Sequence, residues 1–385
     1  MDITLSKTQE NIIKETRRFL KKECPPEYVQ EMFRDDLGFT DELWVKMKRM
    51  DWMAMRIPEV YGGIGMGQLD MSLLLEEMGR VVMPGPFFST IVLAAEVILA
   101  AGTEIQKKQY LKKIADGQLK ATLALHEPEG GADLSYIRML AEPDGDDFIV
   151  SGTKLYVPDA HLADILVMPV LTRTSGNPTH DLSLFIMDRH ETGISITSLP
   201  TMDGTRKLSA INFDRVRLPQ ETILGKQHHG YAPLMQALQR AQVGLVAESV
   251  GGAQQAMEIA TEYAKVRIQY DQPIGAFQAV KHMCAQMYTD SESARSMLYW
   301  ASWAQDYGEK TEAAIAASAA KSYCTEAFTN VASKGIQVLG GTGFTMDNAM
   351  HLYLKRAKAN QAALGTPRYH RERVMQLLTA DGEAS

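Results

Sequence analysis

The apolar positions of this chain change period twice. Over residues 4–118 they recur at helical spacing, with Leu20, Val29, Met32 and Phe33 marking an early face and Ser6 or Thr8 placed to cap the first helix. The run Glu59-Val-Tyr-Gly-Gly-Ile-Gly-Met-Gly67 breaks the pattern as a loop, and Leu73, Leu74, Met78, Val81 and Val82 resume it. Ala94–Ala101 reads as a further apolar helix, and Ile105–Ile114, with its lysines, as a solvated one. Near residue 119 the period shortens. Ala121–Leu125, Asp147–Val150, Asp164–Met168, Leu182–Met187, Ile194–Leu199 and Leu208–Phe213 are strand-like runs, and Gly, Pro, Asn or Asp punctuate most gaps between them. So many short strands in so short a stretch predict a compact β-barrel or sandwich. From Gly230 the helical period returns, and 231–267, 276–307, 310–337 and 347–363 each support a long helix, which together predict a bundle. The charged tail beyond about Arg371 is expected to fray. The pattern predicts an α+β multidomain chain: a helical domain over 1–118, a β-barrel domain over 119–228 and a four-helix bundle domain over 229–385.

Composition narrows the class without naming it. At 385 residues, 45% hydrophobic and 23% charged, the chain is an ordinary globular protein with room for a large core. A net charge of -7 argues against a nucleic-acid partner and for a small-molecule substrate. Cys24, Cys284 and Cys324 are far apart and form no Cys-x-x-Cys pair, which fits reduced thiols in a cytoplasmic protein. The start, Met-Asp-Ile-Thr-Leu-Ser-Lys, has no signal-peptide pattern, and no apolar run reaches membrane-spanning length, so no membrane association is expected. Neither glycine cluster, Gly62–Gly67 or Gly340-Gly-Thr-Gly-Phe344, follows a strand, so the dinucleotide fingerprint fails on context. His228-His229 has no acidic or cysteine neighbour in sequence and reads as surface, without metal.

The most informative stretch is Arg267-Ile-Gln-Tyr-Asp-Gln-Pro-Ile-Gly-Ala-Phe-Gln278. It gathers Arg267, Gln269, Tyr270 and Gln278 on one short connection between helices. A guanidinium that can bind phosphate bidentately, beside amides and an aromatic ring, suits a polyanion bearing a flat heterocycle. This run resembles the Arg-x-Gln-Phe-Gly-x-Pro-Ile-x-x-Phe-Gln signature of acyl-CoA dehydrogenases, which hold FAD there. Other motifs extend the resemblance over nearly the whole chain. Gln337-Val-Leu-Gly-Gly341 matches the family's Gln-x-x-Gly-Gly, which implies that Gln337 and Gly341 meet the adenosine end of FAD from a neighbouring subunit of a tetramer. His126-Glu-Pro-Glu-Gly-Gly-Ala-Asp133 resembles the Thr-Glu-Pro-x-x-Gly-Ser-Asp loop that covers the flavin; His126 stands for the threonine and Ala132 for the serine. Tyr156-Val-Pro-Asp-Ala160 resembles Trp-Ile-Thr-Asn-Gly, so that Tyr156 can stack on or edge the ring. Pro158, lacking hydroxyl and N–H, cannot make the threonine's hydrogen bond.

The resemblance implies an acyl-CoA substrate, FAD, α,β-dehydrogenation and electron transfer to an electron-transfer flavoprotein. In the family a glutamate preceding a Gly-Thr pair abstracts the α-proton. Here Gln361-Ala-Ala-Leu-Gly-Thr366 puts Leu364 at that position, with Thr366 kept as a cofactor contact. The alternative base position on the first bundle helix falls near Ala241. Glu248, about two turns along the same face, is the nearest carboxylate and the candidate base; a buried ion pair is its other reading. Asp203 is a further candidate that also reads as a turn residue. Two hypotheses stay open. The chain is a full enzyme with a displaced base, active as a homotetramer, or it is the partner subunit of a heterotetramer whose sister chain carries the glutamate. Val157-Pro-Asp-Ala-His161 and His351-Leu-Tyr-Leu-Lys-Arg-Ala-Lys358 resemble such smaller subunits. Pro84–Thr90 and the first bundle helix are expected to set pocket depth, with Gly244, Gly251 and Gly252 leaving room for a bulky acyl group.

Overall fold

The computed structural model describes residues 4–382. In chain order its helices are α1 Lys7–Glu23, α2 Pro26–Arg34, α3 Asp41–Lys48, α4 Gln68–Arg80, α5 Ala95–Ala101, α6 Glu104–Ala115, the short α7 Pro178–Asp181, α8 Tyr231–Val266, α9 Gln278–Tyr307, α10 Lys310–Leu339, α11 Met350–Ala362 and α12 Pro367–Gly382. The strands are β1 Ala121–Leu123, β2 Ala141–Asp144, β3 Asp147–Pro158, β4 Ile165–Leu171, β5 Leu182–Asp188, β6 Ile194–Leu199, β7 Leu208–Leu218 and the short β8 Ile268–Gln269 and β9 Gln272–Pro273. The chain divides into two compact units, one of residues 1–33, 67–83 and 242–385, the other of 34–66 and 84–241. The helical residues before β1 are thus shared between the units.

In the second unit, β1, β4 and β5 form one sheet and β2, β3, β7 and β6 another. β1 runs parallel to β4, and the remaining neighbours within these two sheets are antiparallel. β4 is buried almost throughout, which explains its unbroken apolar run Ile165–Met168. β3 alternates, burying Phe148, Val150, Lys154 and Val157. The two sheets share one core. Leu166, Met168 and Val170 of β4 with Phe185 and Met187 of β5 join Phe148 and Val150 of β3 and Ile211, Phe213 and Val216 of β7. Phe148 and Phe185 meet edge to face at 5.6 Å. Each such side chain contributes about 1.5–3 kcal/mol on burial. Sequence pattern alone misses β2, and it also misses the π-helical segment Phe88–Ala94, every residue of which is buried.

In the first unit α4 is buried on nearly all faces. Its charged residues are paired: Glu77 takes two bonds from Arg17 at 2.6 and 2.8 Å, Glu76 one from Arg295 at 3.1 Å, and Arg80 reaches Glu258 and Gln255. α4 and α8 approach through glycine. A Cβ on Gly251 would lie 1.8 Å from the Glu76 carbonyl oxygen, and one on Gly79 would lie 2.1 Å from that of Glu248. A Cβ on Gly252 would meet the Phe328 ring at 2.4 Å. Gly251 and Gly252 therefore serve helix packing, and the expectation that they leave room for a bulky acyl group is corrected. α1 starts on a capping box between Ser6 and Gln9, so Ser6 rather than Thr8 is the cap. α12 runs to Gly382, with Arg371 bonded to Glu326 at 2.9 Å, and the last three residues of the tail expected to fray lie outside the described residues.

Candidate functional site

The Glu-Pro loop after β1 is organised by one buried ion pair. Glu127 accepts the backbone N–H groups of Arg138 and Met139 at 2.8 and 3.1 Å, which closes the loop over residues 127–139. Its other oxygen takes a 2.7 Å bond from Lys154, whose ammonium also donates to the Pro169 carbonyl at 2.8 Å. Burial pushes the Lys154 pKa down, and the Glu127 charge opposes that shift. His126 bridges to Leu155 of β3, with Leu155 N–H donating to its carbonyl at 2.8 Å. Burial lowers the His126 pKa, so its neutral form is favoured. Ala132 lies half-buried in the loop, and Asp133 caps the short turn Leu134–Tyr136 through Ser135 N–H at 2.7 Å.

Opposite His126, β3 bulges. Lys154 pairs with Ile211 and Val157 with Ser209, so β3 holds one extra residue there. Tyr156 sits in the bulge at φ 54° and is 58% exposed. Pro158 resumes the pairing with Leu208, and its carbonyl accepts the Thr122 hydroxyl at 2.6 Å. His126, Tyr156 and Pro158 are thereby brought onto neighbouring positions of one sheet edge. Asp203 accepts Thr205 N–H at 3.0 Å and its hydroxyl, and forms a turn as its second reading expected. His228 is half-buried rather than on the surface: its Nδ1 meets the Thr172 hydroxyl at 2.9 Å and its N–H donates to Ser183 at 2.8 Å. Among the described residues no cluster of His, Cys, Asp and Glu could hold a metal.

In the other unit, Arg267 to Gln278 form a hairpin turn between α8 and α9. β8 and β9 pair, Ile274 N–H donates to the Arg267 carbonyl at 2.8 Å, and Tyr270 meets Phe277 edge to face at 6.1 Å. Arg267, Gln269, Tyr270 and Gln278 are all exposed. α9 and α10 run antiparallel, with Lys334 bonded to Asp290 at 3.2 Å, so the hairpin and Gln337–Gly341 lie at one end of this helix pair. A Cβ on Gly341 would meet nothing within 4 Å, so the backbone there is open to a ligand. An exposed guanidinium and amides beside an open glycine backbone fit a dinucleotide.

The loop from α11 to α12 places Leu364 at φ 54° and Gly365 at φ 104°. Thr366 caps α12, its hydroxyl accepting Tyr369 N–H at 3.3 Å. Glu248 is 4% exposed, with its carboxylate 3.9 Å from Arg356, which also donates to the Met83 carbonyl at 3.4 Å. Tyr353 and Asn360 flank Arg356 on one face of α11 and bond to the Arg80 carbonyl at 2.6 Å and to Ser249 at 3.1 Å. Sequence reading overlooks Lys154, Lys321, Arg356 and His370. A signal exists for Lys321: it continues the Ala313–Ala320 run on the face that buries Ala317, Cys324 and Phe328.

Three family models cover the chain in order: acyl-CoA dehydrogenase N-terminal domain over 6–118, middle domain over 122–216 and C-terminal domain over 228–379. The caffeyl-CoA reductase-Etf complex subunit CarC of Acetobacterium woodii is 32% identical over 343 residues, 88% of this chain and 89% of that protein. Cyclohex-1-ene-1-carbonyl-CoA dehydrogenase of Geobacter metallireducens is 30% identical over 354 residues, 90% and 88% of the two chains. A chain solved in work on the electron transferring flavoprotein of Acidaminococcus fermentans superposes with a TM-score of 0.91 at 30% identity, covering 98% of this chain and 99% of that one. Butyryl-CoA dehydrogenase from Megasphaera elsdenii superposes with a TM-score of 0.90 at 25% identity, over 98% and 100%. The family models and the fold define an FAD-dependent flavoprotein oxidoreductase. The chain belongs to the acyl-CoA dehydrogenase family. Among the described residues no helix is long and apolar enough to cross a membrane.

Proposed function

We propose that this chain binds FAD within a heterotetrameric acyl-CoA dehydrogenase and completes FAD sites without supplying the α-proton base. FAD, when bound, supplies the hydride acceptor. Arg267, Gln269, Tyr270, Gln278, Gln337 and Gly341 would hold its adenosine and phosphate end, and His126, Ala132, Tyr156, Pro158 and Thr366 its flavin end. The sister chain would supply the glutamate. Electrons would pass to an electron-transfer flavoprotein, in keeping with the Etf complex named for the caffeyl-CoA reductase relative.

The observation that carries this reading is the pairing of the alternative base. Leu364 fills the usual base position, and the Glu248 carboxylate is buried facing Arg356. Engaged by that buried guanidinium 3.9 Å away, the carboxylate faces Arg356 rather than an approaching thioester. The second reading is a self-sufficient homotetramer with Glu248 as base, which the exposed 267–278 hairpin would serve equally well.

Anaerobic titration of the purified chain with a panel of acyl-CoA esters, followed by the oxidised-flavin absorbance, separates the two. A yellow protein that no ester bleaches is expected, and Leu364→Glu is expected to introduce bleaching by at least one ester. Bleaching of the wild type that Glu248→Gln abolishes would establish the homotetramer reading instead.

A further inference from the structure

The loop that carries Leu364 and Thr366 is held from its carbonyl side by donors that the chemistry above does not use. Lys321, fully buried on α10, donates to the Gly365 carbonyl at 2.8 Å and reaches that of Gln361 at 3.4 Å. His370, fully buried on α12, places Nε2 2.9 Å from the Leu364 carbonyl. A carbonyl only accepts, so Nε2 carries the hydrogen, and Nδ1 meets no hydrogen-bond partner among the described residues. Ser322 adds a 3.2 Å bond to the Pro367 carbonyl. These donors converge on four carbonyls of one short loop, two of whose residues have positive φ.

A left-handed leucine is strained, and it persists only where its surroundings over-determine it. Lys321 has no carboxylate partner among the described residues. An unpaired buried ammonium is costly, and burial lowers its pKa to about 7. Ammonium and amine both keep N–H donors, so the contact to Gly365 survives the titration. A buried lysine kept without a counter-charge, spending its donors on one loop, is poorly explained by stability alone.

We infer that Lys321 and His370 are positioning residues: they clamp the carbonyls of residues 361–367 and thereby fix how Leu364 and Thr366 are presented to cofactor and substrate. The second half of this inference rests on the proposed function.

Hydrogen exchange on the full-length chain tests the clamp without any ligand. The Ala363 and His370 amides, bonded to the Ala359 and Thr366 carbonyls, are followed in the wild type, Lys321→Met, His370→Leu and His370→Gln, with the β4 amides as an internal reference. At least a tenfold loss of protection is expected in Lys321→Met and His370→Leu. His370→Gln, whose amide nitrogen can replace Nε2, should return to within twofold of the wild type. Unchanged protection in Lys321→Met and His370→Leu would overturn the clamp. FAD affinity, read from the quenching of flavin fluorescence, should weaken about tenfold in the two variants that lose protection. Lost protection with unaltered affinity would overturn the positioning role. A wild type that binds no FAD would instead overturn the proposed function, and exchange would still decide the clamp.

Discussion

Two loops of this protein are each tied down by a completely buried lysine, and they are tied in opposite ways. Lys154 meets a carboxylate, and that carboxylate, Glu127, in turn gathers the N–H groups of its loop. Lys321 meets no carboxylate among the described residues and holds its loop by carbonyls directly. In the first the charge is neutralised on the spot and the loop's donors are satisfied. In the second the charge is left to polarise backbone acceptors, and its pKa falls to about 7. The same residue type thus makes a stable ion pair in one place and a titratable clamp in the other. What separates them is whether the loop presents donors or acceptors toward the core.

Removing the lysines should expose this contrast most strongly at the paired site. Lys154→Met strands the buried Glu127 charge, and urea denaturation should show a loss of about 3–5 kcal/mol. The double variant Lys154→Met/Glu127→Gln should lose less than the single one; an equal or greater loss would mean that the ion pair does not organise the loop. Next in size is a pH effect confined to the clamp. Burial, with the neighbouring Lys321 charge, holds the His370 pKa down at about 4, against an unfolded value near 6.5. A depressed histidine favours the neutral form in the fold, so its contribution is present above pH 6.5 and is lost as pH falls through about 4. Stability curves of wild type and His370→Gln should therefore diverge on acidification by roughly 3 kcal/mol. Parallel curves would break the assignment. The smallest effect belongs to Lys321→Met. It strands carbonyls but no charge, and should cost only about 1–2 kcal/mol in the same denaturation assay. A loss as large as that of Lys154→Met would erase the contrast.

The legible and illegible parts of the site follow the same division. Arg267, Gln278, Gln337 and Gly341 stand out in the sequence because they sit in short runs of consecutive residues, and the structure leaves all of them exposed. The helices and most strands were legible because periodic burial writes itself into the apolar pattern: β4 is an unbroken apolar run because both its faces are covered. Lys154, Lys321 and Arg356 act on partners 15 to 273 positions away, from Pro169 to Met83, and His370 acts on Leu364, six positions before it. Apart from the apolar face on which Lys321 lies, nothing local distinguishes them from surface cations. The glycines of α8 misled for a related reason. An absent side chain looks the same in sequence whether it makes room for a ligand or for the backbone of α4, and only the 1.8 Å approach of Gly251 to the Glu76 carbonyl settles which.

The interleaving of the two compact units has a consequence for how the chain is made. α1 and α4 belong with residues 242–385, yet residues 84–241, which make up most of the other unit, are synthesised between them. At roughly 5–20 residues per second, α4 emerges about ten to thirty seconds before its later partners α8 and α9 exist. During that interval Met71, Leu73, Leu74, Leu75 and Met78, all destined for burial, have only α1 of their own unit to bury against. The nascent chain therefore carries a waiting apolar helix that must be sheltered, and its yield in a cell should depend on chaperone supply more than the stability of the finished fold would suggest.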